Sequence, residues 1–210
     1  MMKHIRKNGW MIGLALIFAT PATGKVYWGL RTGVCRSSLV QQIDLDYLSG
    51  SRLGYSLAAL ADIPFYQRFS FRPELAMVYE GGSFFSEPDE SFFLQKHVLR
   101  AYALQPSLDV AFTIPISGVR MAIYAGPTLD FHLWNTTTAE KVGSWPGSPT
   151  KKEIKPFDLA INAGISVEYK GVFFSITTFA GTFERQAQKT EEESSVYQNN
   201  LTFSLGYFFR

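Results

Sequence analysis

The segment from Phe157 to Tyr169 alternates between two kinds of side chain along its whole length. Every odd-numbered position carries an apolar or aromatic residue, whereas the even-numbered positions carry small, polar or charged residues. Successive side chains of an extended chain point to opposite faces, so a period of two is typical of a strand with two different surroundings. The segment therefore predicts a strand that is apolar along one face and polar along the other.

The same alternation recurs along most of the chain after residue 25. It is clear over 119–133 and 201–209 and weaker elsewhere, and no apolar run there reaches the roughly 20 residues that a membrane helix needs. The eight predicted strands are 26–33, 52–61, 69–79, 98–112, 119–133, 157–169, 172–183 and 201–209. An even strand number is typical of bacterial outer-membrane barrels. We therefore predict an all-β fold, an eight-stranded antiparallel up-and-down transmembrane β-barrel.

Composition supports a single membrane-facing domain. The chain has 210 residues, of which 15% are aromatic and only 18% are charged, against roughly 25% charged residues in soluble domains. A net charge of +2 without a basic run argues against a nucleic-acid partner. Cys35 is the only cysteine, so no internal disulfide forms, and we expect a partly buried thiol inside or just past the first strand.

The N-terminus has the pattern of an export signal. Lys3, Arg6 and Lys7 precede an apolar run over 10–18, and small residues follow at 22–24. The apolar run is too short to span a bilayer, which disfavours the alternative of a membrane anchor. We therefore predict a cleaved signal peptide over residues 1–24 and a barrel over residues 25–210.

The predicted links between strands alternate in length. The links at 62–68, 113–118 and 170–171 are short, whereas those at 35–51, 80–97, 134–156 and 184–197 are longer and more polar. Outer-membrane barrels have short periplasmic turns and long extracellular loops. The alternation therefore predicts that both termini lie in the periplasm and that the long links lie outside the cell.

The two faces of the predicted strands have different roles. The apolar face should contact lipid, with Arg100 near the external interface and an aromatic girdle at the strand ends. The girdle is expected at Trp28, Tyr79, Tyr102, Phe112, Phe131, Phe157, Tyr169, Phe174, Tyr207 and Phe209. The polar residues expected inside are Arg31, Arg52, Arg72, Glu74, Asp109, Arg120, Asp130, His132, Asp158 and Glu168. Because eight strands enclose little more than their own side chains, we expect a salt-bridged plug rather than a channel.

Several motifs resemble one family. They are 29–33 (GLRTG), 71–75 (FRPEL), 79–82 (YEGG), Tyr102 with Pro106, 124–127 (YAGP), 162–165 (NAGI) with 168–169 (EY), and 204–209 (SLGYFF). In this order the chain resembles the PorT-like outer membrane β-barrel family of gram-negative bacteria. The resemblance implies an eight-stranded barrel whose last strand, with Leu205, Tyr207 and Phe209, acts as a signal for the barrel-assembly machinery. One branch of that family assists type IX secretion.

Catalytic chemistry finds little support in the sequence. His132 is the one plausible base, with Glu140 as an orienting carboxylate, but no serine lies at the two-residue spacing that would share its strand face. His97 is assigned to a loop. His132 and Asp130 supply two metal ligands at most, whereas a structural site usually needs four. We therefore predict no catalytic, cofactor-binding or metal-binding residues.

The function predicted from the sequence is a non-enzymatic outer-membrane barrel in envelope structure, surface interaction or secretion assistance. The expected partners are outer-membrane lipids, the barrel-assembly machinery and a protein bound through the long loops, with Lys151, Lys152 and Glu191–Glu193 as candidate contacts. Two alternatives stay open. One is a lipid-modifying enzyme of the outer membrane, and the other is a soluble periplasmic β-sandwich or lipocalin-like binding protein.

Overall fold

The computed structural model describes residues 25–43, 46–86, 95–141, 153–187 and 195–209. These residues form eight antiparallel strands in one closed barrel, with neighbours paired in chain order. The strands are β1 Tyr27–Ile43, β2 Asp46–Tyr66, β3 Phe69–Ser86, β4 Gln95–Ile116, β5 Val119–Lys141, β6 Phe157–Tyr169, β7 Val172–Gly181 and β8 Val196–Phe209. The predicted fold class is confirmed.

The first and last strands close the barrel. β1 pairs with β8 without a register shift, from Trp28 opposite Phe209 to Gln41 opposite Val196. Each strand therefore has a hydrogen-bonded neighbour on both sides. A bilayer offers no water to an unpaired backbone group, so closure is the condition for a sheet to cross it.

The alternation of side chains in β6 appears as an alternation of burial. Ile161 and Ile165 are 61% and 50% exposed, whereas Asp158, Asn162 and Ser166 are buried. The apolar residues thus face away from the barrel axis and the polar residues face toward it. A soluble sheet protein buries its apolar face, so this inside-out arrangement rules against the periplasmic sandwich for the described residues.

Two large interior rings lie over glycines of the neighbouring strand. Tyr124 is opposite Gly164, and Phe173 is opposite Gly206. A Cβ added to Gly164 would lie 2.6 Å from the Tyr124 ring, and one added to Gly206 would lie 2.3 Å from the Phe173 ring. The missing side chains therefore make the room that lets these rings fill a narrow barrel.

At one end of the barrel three two-residue turns connect the strands, at Gln67–Arg68, Ser117–Gly118 and Lys170–Gly171. Ser117 and Gly118 have φ values of 44° and 87°, and Lys170 and Gly171 have φ values of 50° and 86°. Two successive positive φ angles are those of the type I′ turn, whose twist matches that of a hairpin. The short links lie where they were predicted; the first two are shorter than the predicted 62–68 and 113–118, and the third has the predicted residues 170–171.

The first three long links are shorter than the sequence predicts, because the strands continue past the alternating segments, whereas the fourth, predicted at 184–197, lies at 182–195. β2, β4 and β5 have 21, 22 and 23 residues, about twice what a tilted strand needs to cross the bilayer. The link between β1 and β2 is reduced to residues 44–45. Ladder hydrogen bonds form between strands whatever their side chains, so a strand can continue where its side chains no longer alternate.

Two residues assigned to the edge of the first strand or to a loop are in fact inside the wall. Cys35 lies in the middle of β1 and is fully buried, as a free thiol. His97 lies in β4, fully buried, with its ring stacked on Phe84 at 4.9 Å between centroids. The loop assignment of His97 was wrong because the extracellular strand extensions lack a clear alternation.

Within the described ranges no helix is long and apolar enough to cross a membrane. The predicted signal peptide, residues 1–24, lies outside the described residues. Glu140, Lys151, Lys152 and Glu191–Glu193 also lie among residues whose side chains the structure does not describe.

Candidate functional site

The charged side chains of the interior form three groups along the barrel axis. The inner ionic group, near the two-residue turns, consists of Asp62, Arg72, Arg120 and Glu168. The central pair is Arg31 with Glu74. The outer cluster, toward the long links, consists of Glu80, Asp130, His132, Asp158 and Arg185.

The inner ionic group is a chain of charge contacts contributed by four strands. Arg72 Nε lies 3.2 Å from Asp62 Oδ1, and Arg120 reaches both Asp62 and Glu168 at 3.4 Å. The guanidinium of Arg72 also lies 5.6 Å from the centre of the Tyr124 ring. Each charge therefore has a partner of opposite sign inside a space that excludes most water.

The central pair is the tightest ionic contact of the interior. Arg31 Nη2 lies 2.5 Å from Glu74 Oε1, and Arg31 Nη1 donates to Thr177 Oγ1 at 2.9 Å. Thr177 shares a second hydrogen bond, of 2.7 Å, with the hydroxyl of Tyr124. Since these residues come from β1, β3, β5 and β7, the pair links strands on opposite sides of the barrel.

The outer cluster is fully buried and centres on a cation. Arg185 Nη2 lies 3.2 Å from Asp130 Oδ2 and contacts the ring nitrogens of His132. Arg185 Nη1 lies 3.9 Å from Asp158 Oδ2. His132 Nε2 in turn lies 3.1 Å from Glu80 Oε1. The guanidinium of Arg185 therefore lies in a cluster with three carboxylates, those of Asp130, Asp158 and Glu80.

Neutral amides complete the outer cluster. Gln105 Nε2 donates to Glu80 Oε2 and to Asp130 Oδ1, each at 3.1 Å, and Asn200 Nδ2 donates to Glu80 Oε2 at 2.6 Å. These bonds hold the two carboxylates in place from β4 and β8. The carboxylates are therefore oriented toward Arg185 and His132 by hydrogen bonds from neutral side chains.

Arg185 reaches the interior from the segment between β7 and β8, not from a strand. Its backbone accepts a hydrogen bond from Lys155 N at 2.7 Å, and Ala187 N donates to Glu153 O at 2.9 Å. Residues 153–155 and 185–187 therefore form a short two-stranded ribbon. The side chain of Glu184 accepts from Val196 N at 2.9 Å, which ties the ribbon to the start of β8.

An apolar cap accompanies the outer cluster. It consists of Leu39, Phe84, Leu99, Ile154 and Val196, none more than 6% exposed. Four of its members come from strands, and Ile154 comes from the ribbon. The ribbon therefore contributes an apolar side chain to the cap and a charged one to the cluster.

Little free space remains in the described interior. A cavity lined by Arg31, Glu74 and Gln105, among others, has a volume of about 30 Å³, on the scale of a single water molecule. A wider cavity of about 190 Å³ lies at the turn end, against Asp62, Arg68 and Arg120. The barrel thus has a filled centre with an indentation at its inner mouth.

Sequence comparison decides the family. A family model described as "Outer membrane protein beta-barrel domain" matches residues 18–207. The chain belongs to this family. It is a membrane protein of the outer membrane, where barrels have short periplasmic turns, and the two-residue turns of this barrel lie together at one end. No curated protein matches the sequence.

Several solved structures resemble this outer membrane β-barrel protein. Neisserial surface protein A is 10% identical, with 89% of this chain and 100% of that chain covered and a TM-score of 0.46. Ail, the attachment invasion locus protein of Yersinia pestis, is 12% identical, with coverage of 89% and 100% and a TM-score of 0.47. OprG from Pseudomonas aeruginosa is 11% identical, with coverage of 88% and 96% and a TM-score of 0.42.

The polar residues expected inside the barrel do lie there. Arg72, Arg120 and Glu168 meet in the inner ionic group, Arg31 meets Glu74, and Asp130, His132 and Asp158 meet in the outer cluster. Asp109 accepts a hydrogen bond of 3.0 Å from Asn162 at mid-barrel. Arg52 is half-buried. Leu205, Tyr207 and Phe209 of the last strand are exposed on the lipid side.

Three charged members of the interior escaped the sequence reasoning: Asp62, Glu80 and Arg185. Asp62 and Glu80 continue the even-numbered inward positions of the second and third strands by one step. Extending the alternation past 61 and 79 would have found both. Arg185 carries no such signal, since its segment has no periodicity.

The chemistry of the outer cluster favours structure over catalysis. The charged and hydrogen-bonding partners of His132 are Glu80, Asp130 and Arg185, so no nucleophilic hydroxyl or thiol is among these described contacts. Glu80, Asp130 and His132 offer ligand atoms within 4.8 Å of one another. Arg185 contacts Asp130 and His132, so a metal ion bound there would lie beside a guanidinium of the same charge sign.

Proposed function

We propose that this protein is a non-enzymatic outer-membrane barrel that works through its surface and not as a pore. One observation carries the proposal: Arg185 is seated among Asp130, His132 and Asp158, beside the apolar cap. A conducting pore needs a continuous wet path along the axis. Here the path is filled by ion pairs in the centre and by the ribbon toward the outside.

A filled barrel leaves the extracellular segments and the outer wall as the working surfaces. The sequence motifs that resemble the PorT-like family support the same class of role, in secretion assistance, envelope structure or adhesion. Loops on a rigid scaffold commonly carry recognition. The extracellular links are therefore the candidate contacts for a protein partner, and the barrel itself serves as their anchor.

The test replaces residues 142–152 and 188–194 by glycine–serine linkers and uses the variant to complement a gene deletion. We expect the variant to stay heat-modifiable on gels, as a closed barrel is, and to fail to restore the envelope or secretion defect of the deletion. Wild-type protein in planar bilayers should add no conductance steps. Full complementation by the loop-less barrel, or stepwise conductance by the wild type, would overturn the proposal.

The enzyme alternative has its own readout. Purified wild-type protein is incubated with lipid A, and the products are followed by mass spectrometry. We expect no deacylated product from either the wild type or a His132→Gln variant. Hydrolysis that is lost in His132→Gln would establish the lipid-modifying enzyme instead.

A further inference from the structure

Four aromatic rings on the lipid side of the barrel form a continuous strip. Tyr55, Tyr79, Tyr102 and Trp134 come from β2, β3, β4 and β5 and are paired in register across the three strand boundaries. The ring centroids are 5.4 Å, 4.9 Å and 6.0 Å apart in that order. We call these residues the outer aromatic strip.

Polar atoms of the strip converge on one place. The hydroxyls of Tyr55 and Tyr102 lie 3.1 Å apart across the intervening strand. At the periplasmic end of the same wall the outward rings include Phe69 and Phe112, 5.1 Å apart, and Tyr66, which pairs with Phe69. Tyrosine and tryptophan prefer the boundary between lipid and water. The strip therefore marks the level of the outer leaflet headgroups.

Two arginines lie just outside the strip. Arg100 is two residues beyond Tyr102 in β4, and Arg36 is two residues beyond Val34, which pairs with Tyr55. Both arginines are exposed. Every strand carboxylate whose side chain the structure describes is inside the barrel. Among the side chains that the structure describes, the outward surface above the strip therefore carries positive charge.

An apolar surface continues from the strip toward the membrane centre. Leu57 and Met77 pair with each other, each two residues along its strand from Tyr55 or Tyr79 toward the membrane centre. Both side chains are at least half exposed. From the extracellular end toward the membrane centre, the wall thus presents guanidinium groups, then stacked polar rings, then aliphatic side chains. This order matches phosphate, sugar and acyl chain in a phosphorylated glycolipid.

We propose that the outer aromatic strip, with Arg36 and Arg100, docks the phosphorylated glycolipid of the outer leaflet. The arginines bind its phosphates, the rings of Tyr79, Tyr102 and Trp134 lie against its sugars, and the acyl chains run along Leu57 and Met77. The proposal goes beyond the sealed-barrel function and needs only that the long links face outward. A second copy of this chain is the competing occupant.

The test measures retention of diphosphoryl lipid A by full-length protein in nanodiscs of phosphatidylethanolamine and phosphatidylglycerol, using native mass spectrometry. The probe is compared with its dephosphorylated form. Loss of charge-assisted hydrogen bonds should weaken retention by Arg36→Gln/Arg100→Gln at least about tenfold. Arg68→Gln, in a periplasmic turn, serves as the matched control and should retain the probe like the wild type.

A second variant tests the rings without changing charge. Tyr79→Leu/Tyr102→Leu keeps an apolar surface but removes the stacked rings, and it should retain less diphosphoryl lipid A while remaining heat-modifiable. Tyr169→Leu, at the periplasmic end, is its control and should behave as the wild type. The proposal would be overturned if the dephosphorylated probe were retained as well as diphosphoryl lipid A, or if the arginine variant retained the probe like the wild type. It would also be overturned if phosphatidylglycerol competed for the strip as well as diphosphoryl lipid A does. A dimer that the tyrosine variant dissociates would assign the strip to a second copy instead.

Discussion

The barrel interior is filled by paired charges from two sources: the inner ionic group and the central pair take them from strands alone, whereas the outer cluster also takes one from a link. Asp62, Arg72, Arg120 and Glu168 all come from strands, so their positions are fixed as soon as the barrel closes. The outer cluster has its carboxylates on strands but takes its cation, Arg185, from a link. We therefore expect the strand-borne charges to separate only when the barrel wall unfolds, whereas the outer cluster opens whenever the ribbon leaves the interior.

Removing a partner from the strand-borne charges should have the largest effect. Glu74→Leu leaves Arg31 buried without its carboxylate, which costs about 3–5 kcal/mol of unfolding free energy. The measurement is urea-induced unfolding of the barrel reconstituted in lipid vesicles. Arg31→Met/Glu74→Leu is the control and should recover much of the loss, since no charge is then left alone. A Glu74→Leu barrel as stable as the wild type would show that the central pair is not buried.

Arg185→Gln should have a smaller effect on the barrel and a marked one on the ribbon. The variant leaves the carboxylates of Glu80, Asp130 and Asp158 without their cation, so residues 153–155 and 185–187 should separate from the interior. Cleavage after Glu153 by the glutamate-specific protease Glu-C should become at least about tenfold faster, since a loss of 1.4 kcal/mol in local stability is tenfold in the open population. Arg68→Gln, an exposed turn residue, is the matched control.

Unchanged cleavage after Glu153 in Arg185→Gln would contradict the role given to the ribbon. A fall in global stability as large as that of Glu74→Leu would contradict the distinction between the two regions. Glu74→Leu should lower the unfolding free energy of the barrel, whereas Arg185→Gln should open only the outer cluster and the ribbon.

The strand-borne half of this comparison could be predicted from the sequence. A period of two fixes which side chains share a face, so the interior positions of Arg72, Arg120 and Glu168 followed from counting along each strand. Closure followed from the even number of alternating segments. The lipid side of β6 followed in the same way.

The outer cluster and the facing of side chains at the end of β5 could not be predicted, for two physical reasons. Arg185 and Ile154 lie in segments without periodicity, and their burial depends on contacts between links that are distant in sequence. A register shift next to Tyr102 and Ala103 also changes the phase of β5. It leaves Leu133 and Trp134, which are consecutive, both facing lipid with 60% and 52% of their surface exposed. A bulge of this kind interrupts an alternation without a clear sequence mark.

His132→Gln should have the smallest effect. Glutamine can keep a hydrogen bond to Glu80, and Arg185 remains to balance the carboxylates, so we expect a loss of no more than about 1 kcal/mol. Urea unfolding and cleavage after Glu153 should both stay near the wild-type values. Cleavage as fast as in Arg185→Gln would make His132, rather than Arg185, the centre of the outer cluster.

Closure of the barrel between β1 and β8 is tested most directly by a disulfide across that boundary. Val34 pairs with Phe203, and both face lipid, so Val34→Cys/Phe203→Cys in a Cys35→Ala background should cross-link under mild oxidation. The cross-link should change the mobility of the boiled protein on gels and disappear on reduction. Val34→Cys/Ile161→Cys, with the second cysteine on β6, should not cross-link within one chain. Heat-modifiable protein in which the Val34–Phe203 pair fails to cross-link would contradict the closed barrel.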